Sequence, residues 1–254
     1  MKKYLLDLTV KSVEHINEKY ILLRLTDDNP LPVMHAGQFV ELRIDNSTTT
    51  FLRRPISIHY VDYEQNELWL LVAMVGDGTR ALAQLHTGDR LNTLLPLGNG
   101  FTISAEGETL LVGGGVGVAP LLYAGKVIRE NGGTPVFLLG ARSAGDLLEL
   151  DRFREIGEVY VTTEDGSMGE RGFVTNHSLW LTAAYRQVSV CGPKPMMVAV
   201  ARLAREKGLP CEVSLENKMA CGLGACLCCI EDTIDGNVCV CKDGPVFNID
   251  KLKF

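Results

Sequence analysis

The distribution of cysteine is the feature that most restricts how this chain of 254 residues can fold. Of its eight cysteines none precedes Cys191, and six lie between Cys221 and Cys241. A secreted disulfide framework would spread its cysteines along the chain and follow a signal peptide. Here Asp7 interrupts the first apolar residues, so the start of the chain lacks the apolar region of such a peptide. The pattern favours a cytoplasmic protein whose clustered thiols bind a metal or carry out redox chemistry.

The composition argues against two classes of binding partner, nucleic acids and membranes. Acidic residues outnumber basic ones and the net charge is −6, which argues against a general nucleic-acid binder. The longest uncharged apolar stretch, residues 110–125, contains five glycines and Pro120, so it predicts no membrane helix. We therefore expect a protein that binds neither nucleic acid nor a membrane.

The spacing within the cysteine cluster indicates the metal. Cys221, Cys226 and Cys229 follow the pattern C-x4-C-x2-C, which is the spacing of plant-type 2Fe–2S ferredoxins. Gly222 and Gly224 let the backbone wrap closely, so that N–H groups can point at sulfur. The alternative is a structural zinc site, but zinc usually takes paired C-x2-C ligands. The sequence predicts a 2Fe–2S cluster.

The fourth ligand is not decided by spacing. Cys239 and Cys241 are both candidates, and if they lie on a strand they share one face. Cys228 adjoins Cys229 and should point elsewhere. Spacing alone assigns no role to Cys211, Cys228 or Cys239.

The first hundred residues predict an antiparallel β-barrel or sandwich. Short apolar runs alternate with turn-forming residues, and one short helix is predicted over residues 79–85. The predicted strands cover residues 22–25, 39–44, 55–58 and 68–75.

From residue 109 onward the pattern changes to alternating strands and helices, which is typical of a doubly wound parallel sheet. Strands are predicted near residues 110–112, 135–139, 159–163 and 187–191, and helices up to 130 and over 147–156, 173–181 and 195–207. The expected domains are 1–101, 102–212 and a cysteine module 213–254.

Three further motifs indicate ligand binding. The run from Gly113 to Pro120 follows a buried strand and can bring a phosphate to a helix N-terminus. Arg54 in Arg54-Pro55-Ile56-Ser57 can clamp a phosphate, with Gly78-Thr79 opening the short helix nearby. Cys191-Gly192-Pro193 lies where a strand of the wound sheet ends, the edge at which such folds bind ligands. Arg53 beside this motif could be a solvated charge.

In chain order, with Arg54 to Ser57 first, the glycine loop second and Cys191-Gly192-Pro193 last, the three motifs resemble the ferredoxin–NADP reductase family over about residues 1–210. The resemblance implies an antiparallel β-barrel that binds FAD and an α/β doubly wound domain that binds NAD. It implies FAD contacts at Arg54, Pro55, Ile56, Ser57, Leu71, Val72, Ala73, Gly78 and Thr79. It implies NAD contacts at Gly113, Gly114, Gly115, Gly117, Cys191, Gly192 and Pro193.

The tail is similar to the electron-transfer subunits of type B dihydroorotate dehydrogenases, from Glu216 through the run Val240-Cys241-Lys242-Asp243-Gly244-Pro245-Val246-Phe247. That resemblance implies Cys221, Cys226, Cys229 and Cys241 as cluster ligands. It also implies an oxidoreductase of pyrimidine biosynthesis, with an FMN-containing catalytic subunit in a heterotetramer of two copies of each. Electrons then pass from that subunit through the 2Fe–2S cluster and FAD to NAD+.

Other functions remain compatible with the sequence. Similar subunits serve hydrogenases, ferredoxin–NADP oxidoreductase complexes and dioxygenases, and a zinc-dependent interaction module or a redox sensor is the alternative of another class. Arg142-Ser143 could contact a 2′-phosphate or cap a helix, so the residues alone leave NAD and NADP undecided.

Overall fold

The computed structural model describes residues 2–182 and 184–254. The chain forms two compact units. The first comprises the chain through Gly100 together with Asn217–Glu231 and Asn237–Pro245. The second comprises Phe101–Glu216, Asp232–Gly236 and Val246–Phe254. All six clustered cysteines lie in the first unit, while the division into 1–101, 102–212 and 213–254 stays a prediction.

The first unit is built on a curled antiparallel sheet, which confirms the predicted fold of this region. Its strands are β1 (Tyr4–His15), β2 (Tyr20–Thr26), β3 (Phe39–Leu42), β4 (Arg54–Ser57), β5 (Tyr60–Asp62), β6 (Glu67–Ala73) and β7 (Arg90–Leu97). They pair in the order β4-β3-β7-β1-β2-β6-β5. Strand β3 therefore lies between β4 and β7, and this places it beside the Arg54 motif.

Two long strands, β1 and β7, were not predicted. Strand β1 alternates exposed residues such as Asp7 with buried ones such as Leu8 and Val10, because one face of this strand packs into the core. Strand β7 contains Asn92 and Pro96 among its apolar residues. Charged, polar or proline residues interrupt the apolar residues of both strands, so neither was predicted.

The second unit contains a parallel sheet, as predicted. The remaining strands are β8 (Glu108–Gly114), β9 (Thr134–Ala141), β10 (Glu158–Thr163), β11 (Glu170–Arg171), β12 (Gln187–Cys191), β13 (Cys211–Ser214), β14 (Ile230–Thr233), β15 (Gly236–Cys239) and β16 (Val246–Asn248). The order is β11-β10-β9-β8-β12-β13-β16, with β16 antiparallel to β13. Strands β14 and β15 form a separate hairpin.

Most predicted helices are present with shifted ends. The helices are α1 (Asp77–Leu82), α2 (Ala119–Glu130), α3 (Leu150–Ile156), α4 (Leu179–Thr182), α5 (Lys194–Glu206) and α6 (Val240–Asp243). The helix predicted over 173–181 is wrong, because a 3-10 turn at Val174–Asn176 precedes α4. The Asn176 side chain accepts a hydrogen bond from the Phe173 amide, and His177 is extended, so the helix cannot run through.

The central strands of the parallel sheet are buried on both faces, as shown by Leu110, Leu111 and Val112, which expose none of their surface. Such strands read as continuous apolar runs, which explains why this part of the fold was predictable. Within residues 2–182 and 184–254, no helix is long and apolar enough to cross a membrane.

Candidate functional site

The cysteine loop of the first unit turns tightly at two glycines. Gly222 has a φ of +66° and Gly224 a φ of +78°, both in the left-handed region that favours glycine. A Cβ on residue 222 would lie 2.8 Å from Glu41 Cγ, and one on residue 224 would lie 3.1 Å from Lys242 Cδ. The close wrapping expected from the sequence is therefore confirmed at both positions.

Backbone amides of this segment point at three cysteine sulfurs. Leu223 N donates to Cys221 Sγ at 3.4 Å, and Gly224 N donates to Cys241 Sγ at 3.1 Å. Cys241 N donates to Cys229 Sγ at 3.4 Å. Amide donors stabilise thiolates and tune the clusters that they bind. The donor set of this loop therefore fits an iron–sulfur cluster.

The pKa of Cys221 reflects these donors. Burial raises it, but hydrogen bonds from Leu223, Cys226 and Ala225 outweigh burial and lower the pKa of Cys221 to about 6. A thiol with such a pKa is mostly thiolate at neutral pH, which is the form that binds iron.

The two candidates for the fourth ligand lie in different elements. Cys239 ends β15, whereas Cys241 lies in the helix α6, so the premise that both share one face of a strand is wrong. Cys241 is hydrogen-bonded to the loop as described above, while the Cys239 thiol lies 3.8 Å from the Gly224 carbonyl oxygen. Both are buried, and Cys228 is exposed as expected. These contacts favour Cys241, and its role as ligand stays a prediction.

The loop after β7 holds the segment that carries Cys241. Asn99 N donates to Gly244 O at 2.6 Å, and Asn99 Nδ2 donates to the carbonyl oxygen of Asp243 at 3.0 Å. A Cβ on Gly98 would lie 2.5 Å from Pro245 Cδ. Leu97-Gly98-Asn99-Gly100 matches no ligand motif, so this role was not predicted from the sequence.

The Arg54 motif and helix α1 meet, as the sequence predicted for a phosphate cradle. Arg54 Nε lies 2.7 Å from the position that a Cβ on Gly78 would take. Arg54 Nη1 donates to Leu52 O at 2.8 Å, which fixes the guanidinium over this glycine. A side chain at position 78 would displace the arginine from this position, and the arrangement fits the pyrophosphate of FAD.

Other residues of the predicted FAD site differ in what they can offer. The Thr79 hydroxyl is engaged in capping α1, since it accepts from Gly76 N at 3.1 Å. Val72 exposes no surface and Leu71 only 2%, so neither side chain is open to a cofactor. Ala73 is half-buried, as are Pro55, Ile56 and Ser57. Contact of these residues with FAD stays a prediction.

Arg53 is not the solvated charge that the sequence suggested. Its Nη1 donates to the carbonyl oxygens of Glu41 and Asn92, both at 3.1 Å. The guanidinium therefore joins β3 to β7, and burial lowers its pKa from the usual value. A long side chain can bury its aliphatic part while its charged end reaches backbone carbonyls of two neighbouring strands, and this cannot be predicted from one sequence.

In the second unit, the predicted glycine loop meets the predicted Cys191 motif. Strands β8 and β12 are neighbours and pair Gly113 with Cys191. A Cβ on Gly117 would lie only 2.4 Å from Gly192 Cα, and one on Gly114 would lie 2.5 Å from Met196 Sδ. The two loops thus approach at the carboxyl edge of the sheet, where wound folds bind dinucleotides. This narrow approach fits the predicted contacts with NAD.

Cys191 itself is buried at this edge. Its Sγ lies 3.9 Å from Glu216 Oε1, just after β13. Burial and the Glu216 carboxylate raise the pKa of Cys191 well above the usual value, so this thiol is neutral. No sequence motif indicates a role for Glu216, because only the pairing of β12 with β13 brings it to Cys191.

Two family models match the chain. Residues 216–253 match the iron–sulfur cluster binding domain of dihydroorotate dehydrogenase B. Residues 111–202 match the oxidoreductase NAD-binding domain. These segments coincide with the cysteine loop and with the paired loops of the parallel sheet.

Relatives extend the similarity to most of the chain. The electron transfer subunit of dihydroorotate dehydrogenase B (NAD+) from Caldanaerobacter subterraneus subsp. tengcongensis is 42% identical over 224 residues, covering 87% of each chain. The same subunit from Bacillus velezensis is 37% identical over 251 residues, covering 96% of this chain and 97% of the relative.

Solved structures agree with the fold. A chain of NADH-dependent reduced ferredoxin–NADP oxidoreductase has a TM-score of 0.88 and 30% identity, covering 98% of this chain and 90% of its own length. Phthalate dioxygenase reductase has a TM-score of 0.68 at 18% identity, covering 93% of this chain and 94% of its own, and supports the fold alone.

The curled antiparallel sheet, the parallel sheet and the cysteine loop define an NAD-linked flavin and iron–sulfur oxidoreductase of the ferredoxin-reductase fold. Within that class, the chain belongs to the family of electron transfer subunits of dihydroorotate dehydrogenase B. Its cofactors are FAD, NAD and a 2Fe–2S cluster. As an electron transfer subunit it works with a catalytic partner subunit. The match to an iron–sulfur domain leaves the zinc module without support.

Proposed function

We propose that this chain passes electrons from an FMN-containing catalytic subunit, which oxidises dihydroorotate to orotate, through its cluster and FAD to NAD+. The observation that carries the proposal is the position of β3. Glu41 on this strand contacts Gly222 of the cysteine loop and pairs with Pro55 of the Arg54 motif. One strand therefore separates the segment suited to a cluster from the segment suited to FAD.

The cofactors bring complementary chemistry when bound, because a flavin exchanges electrons with NAD as a pair and with an iron–sulfur cluster singly. The chain contributes the positions. Arg54 and Gly78 would hold the FAD pyrophosphate, and the loop from Cys221 to Cys229, with Cys241, would hold the cluster. Gly117 and Gly192 would receive NAD in the second unit.

The partner subunit supplies the substrate chemistry in this proposal. The two sheets already serve flavin and NAD, and a (β/α)8 barrel for a second flavin needs about 250 further residues. The FMN of that subunit, the heterotetramer with two copies of each chain and the cytoplasmic location rest on the resemblance and the cysteine pattern, and they remain predictions.

Co-expression with the candidate catalytic subunit tests the proposal. The purified complex is analysed for iron, FAD and FMN, for its mass in solution, and for reduction of NAD+ by dihydroorotate. We expect both flavins, two irons per copy of this chain, and NAD+ reduction only when both subunits are present. A complex with both flavins and a full cluster that does not reduce NAD+ with dihydroorotate contradicts the proposal.

A second function is favoured by one observation. The similarity to the chain of NADH-dependent reduced ferredoxin–NADP oxidoreductase covers 98% of this chain with a TM-score of 0.88. In that case the partner is a flavoprotein that exchanges electrons with ferredoxin and NADP. Purification of the tagged chain at its natural expression level distinguishes the two functions. Stoichiometric recovery of an FMN-containing flavoprotein that oxidises dihydroorotate supports the first, and recovery of a flavoprotein that exchanges electrons with ferredoxin and NADP supports the second.

A further inference from the structure

Glu41 is an unusual residue for the interior of a β-sheet. It lies in β3 between the buried residues Val40 and Leu42 and exposes none of its surface. Within the described part of the chain, neither carboxylate oxygen has a hydrogen-bond partner. Buried carboxylates are nearly always paired or hydrogen-bonded, because removing the charge from water is costly.

The surroundings of Glu41 point toward the cysteine loop. A Cβ on Gly222 would lie 2.8 Å from Glu41 Cγ and 3.3 Å from Oε1. Residue 222 must therefore be glycine for the loop to lie against this carboxylate. The loop residue before it is Cys221, a predicted cluster ligand.

Three charged or titratable groups surround the carboxylate. Burial raises the pKa of Glu41 to about 7, Arg53 and Arg54 oppose this increase, and the Cys221 thiolate adds to it. The neighbouring positions on the paired strands, Pro55 in β4 and Leu94 in β7, cannot titrate. The ionised carboxylate of Glu41 would thus face the cysteine loop, with Arg53 and Arg54 balancing part of its charge.

We propose that Glu41 is a positioning residue that keeps a negative charge against the cysteine loop and thereby lowers the reduction potential of the 2Fe–2S cluster. An electron added to the cluster is repelled by this carboxylate, and the repulsion is weakly screened in a buried site. Glu41 lies against Gly222, the residue that follows Cys221, and is not itself proposed as a ligand. The inference rests on the proposed function only in taking Cys221 as a ligand.

The test is the midpoint potential of the cluster, followed by electron paramagnetic resonance in the complete complex at about pH 8.5, where the carboxylate is ionised. Glu41→Gln removes the charge at nearly constant size, and Glu41→Asp keeps it. We expect Glu41→Gln to increase the equilibrium constant for reduction of the cluster about tenfold. For one electron this raises the midpoint potential by about 59 mV. Glu41→Asp should stay closer to the wild type.

Glu67→Gln is the matched control. Glu67 is another buried carboxylate of the same sheet, but it is paired with Lys11 and has no contact with the loop among those described. It should lose stability and leave the potential unchanged. Equal potentials for Glu41→Gln and wild type, at full iron content, overturn the inference.

Glu41→Asp provides a second measurement in case Glu41→Gln does not assemble a cluster. Its shorter side chain withdraws the charge from Gly222, so the potential should rise by less than tenfold in the reduction equilibrium. A potential equal to that of the wild type at full iron content overturns the inference. Since dihydroorotate-dependent NAD+ reduction is measured on the same preparations, failure of this inference leaves an active complex, whereas failure of the proposed function does not.

Discussion

The amide of Gly224 donates a hydrogen bond to the sulfur of Cys241 over 3.1 Å, across 17 residues of sequence. This contact brings the C-terminal helix α6 to the loop that carries the other three predicted ligands. It separates Cys241 from Cys239, whose thiol lies near the Gly224 carbonyl oxygen and not near its amide. An amide can stabilise a thiolate, whereas a carbonyl oxygen repels it.

The first prediction follows directly. Cys241→Ser should lose most of the iron and the visible absorbance of the cluster, because one of four thiolates is removed. Cys239→Ser should keep both. Iron per protein and the absorption spectrum measure the outcome, and the exposed Cys228 provides a second control through Cys228→Ser. Loss of iron in Cys239→Ser with retention in Cys241→Ser assigns the fourth ligand to Cys239 instead.

The sequence predicted the parts of the fold that depend on local patterns. The buried strand at Leu110–Val112 and the glycine loop after it were found because strand burial and turn chemistry are both encoded within a few residues. The left-handed glycines of the cysteine loop were found for the same reason. Strand β1 was missed because its apolar residues alternate with charged ones.

Residues whose role depends on distant partners could not be predicted in this way. Asn99 holds the Cys241 segment from 144 positions away, through the Asp243 carbonyl. Glu41 lies against Gly222 because of the position of β3 in the sheet, between β4 and β7. No periodicity or motif records such a contact, so Glu41, Asn99 and Glu216 emerged from the structure alone.

The second prediction concerns Gly222. In Gly222→Ala the new methyl would meet Glu41 Cγ at 2.8 Å and Leu97 Cδ1 at 2.9 Å, at a φ of +66°. We expect a loss of about 2–4 kcal/mol in the free energy of unfolding, from backbone strain and overpacking together. Gly88→Ala is the control, because Gly88 also has a positive φ but nothing within 4 Å. In denaturant titrations of the holoprotein, the free energy of unfolding of that variant should fall by about 1 kcal/mol, from backbone strain alone. Equal losses in both variants argue against close packing of the loop on β3.

The third prediction concerns FAD. Arg54→Lys should weaken FAD binding by about tenfold or more, because an ammonium cannot reproduce the bidentate fork that lies over Gly78. Flavin content after gel filtration and the dissociation constant from fluorescence measure the loss. Arg43→Lys is the matched control, since Arg43 is exposed and pairs only with Asp45 at the surface in the described contacts. Unchanged FAD affinity in Arg54→Lys removes Arg54 from the cofactor site.

The fourth prediction concerns the dinucleotide loop. Gly117→Ala places a methyl 2.4 Å from Gly192 Cα, so the two loops must separate. We expect at least a tenfold loss of NADH affinity, about 1.4 kcal/mol, with FAD and iron retained. Gly208→Ala has a positive φ and nothing within 4 Å, and it follows α5, so it should cost stability and leave NADH affinity unchanged. Equal affinity in Gly117→Ala and wild type would place NAD elsewhere.

The last prediction concerns the reactivity of the thiols. Burial holds the pKa of Cys191 well above its usual value, with a further increase from Glu216, and burial raises the pKa of Cys211 to about 12. A raised pKa leaves little thiolate at about pH 8, and the thiolate is the form that is alkylated. In the native holoprotein we therefore expect iodoacetamide to modify the exposed Cys228 at least tenfold faster than Cys191 or Cys211, as followed by mass spectrometry of peptides. Cys228→Ser should remove the fast phase, and unfolding the protein should make Cys191 and Cys211 reactive. Fast native modification of Cys191 would mean that the sheet edge carrying the NAD loops is open to solvent. It would contradict the conclusion that the Cys191 thiol is buried and neutral beside Glu216.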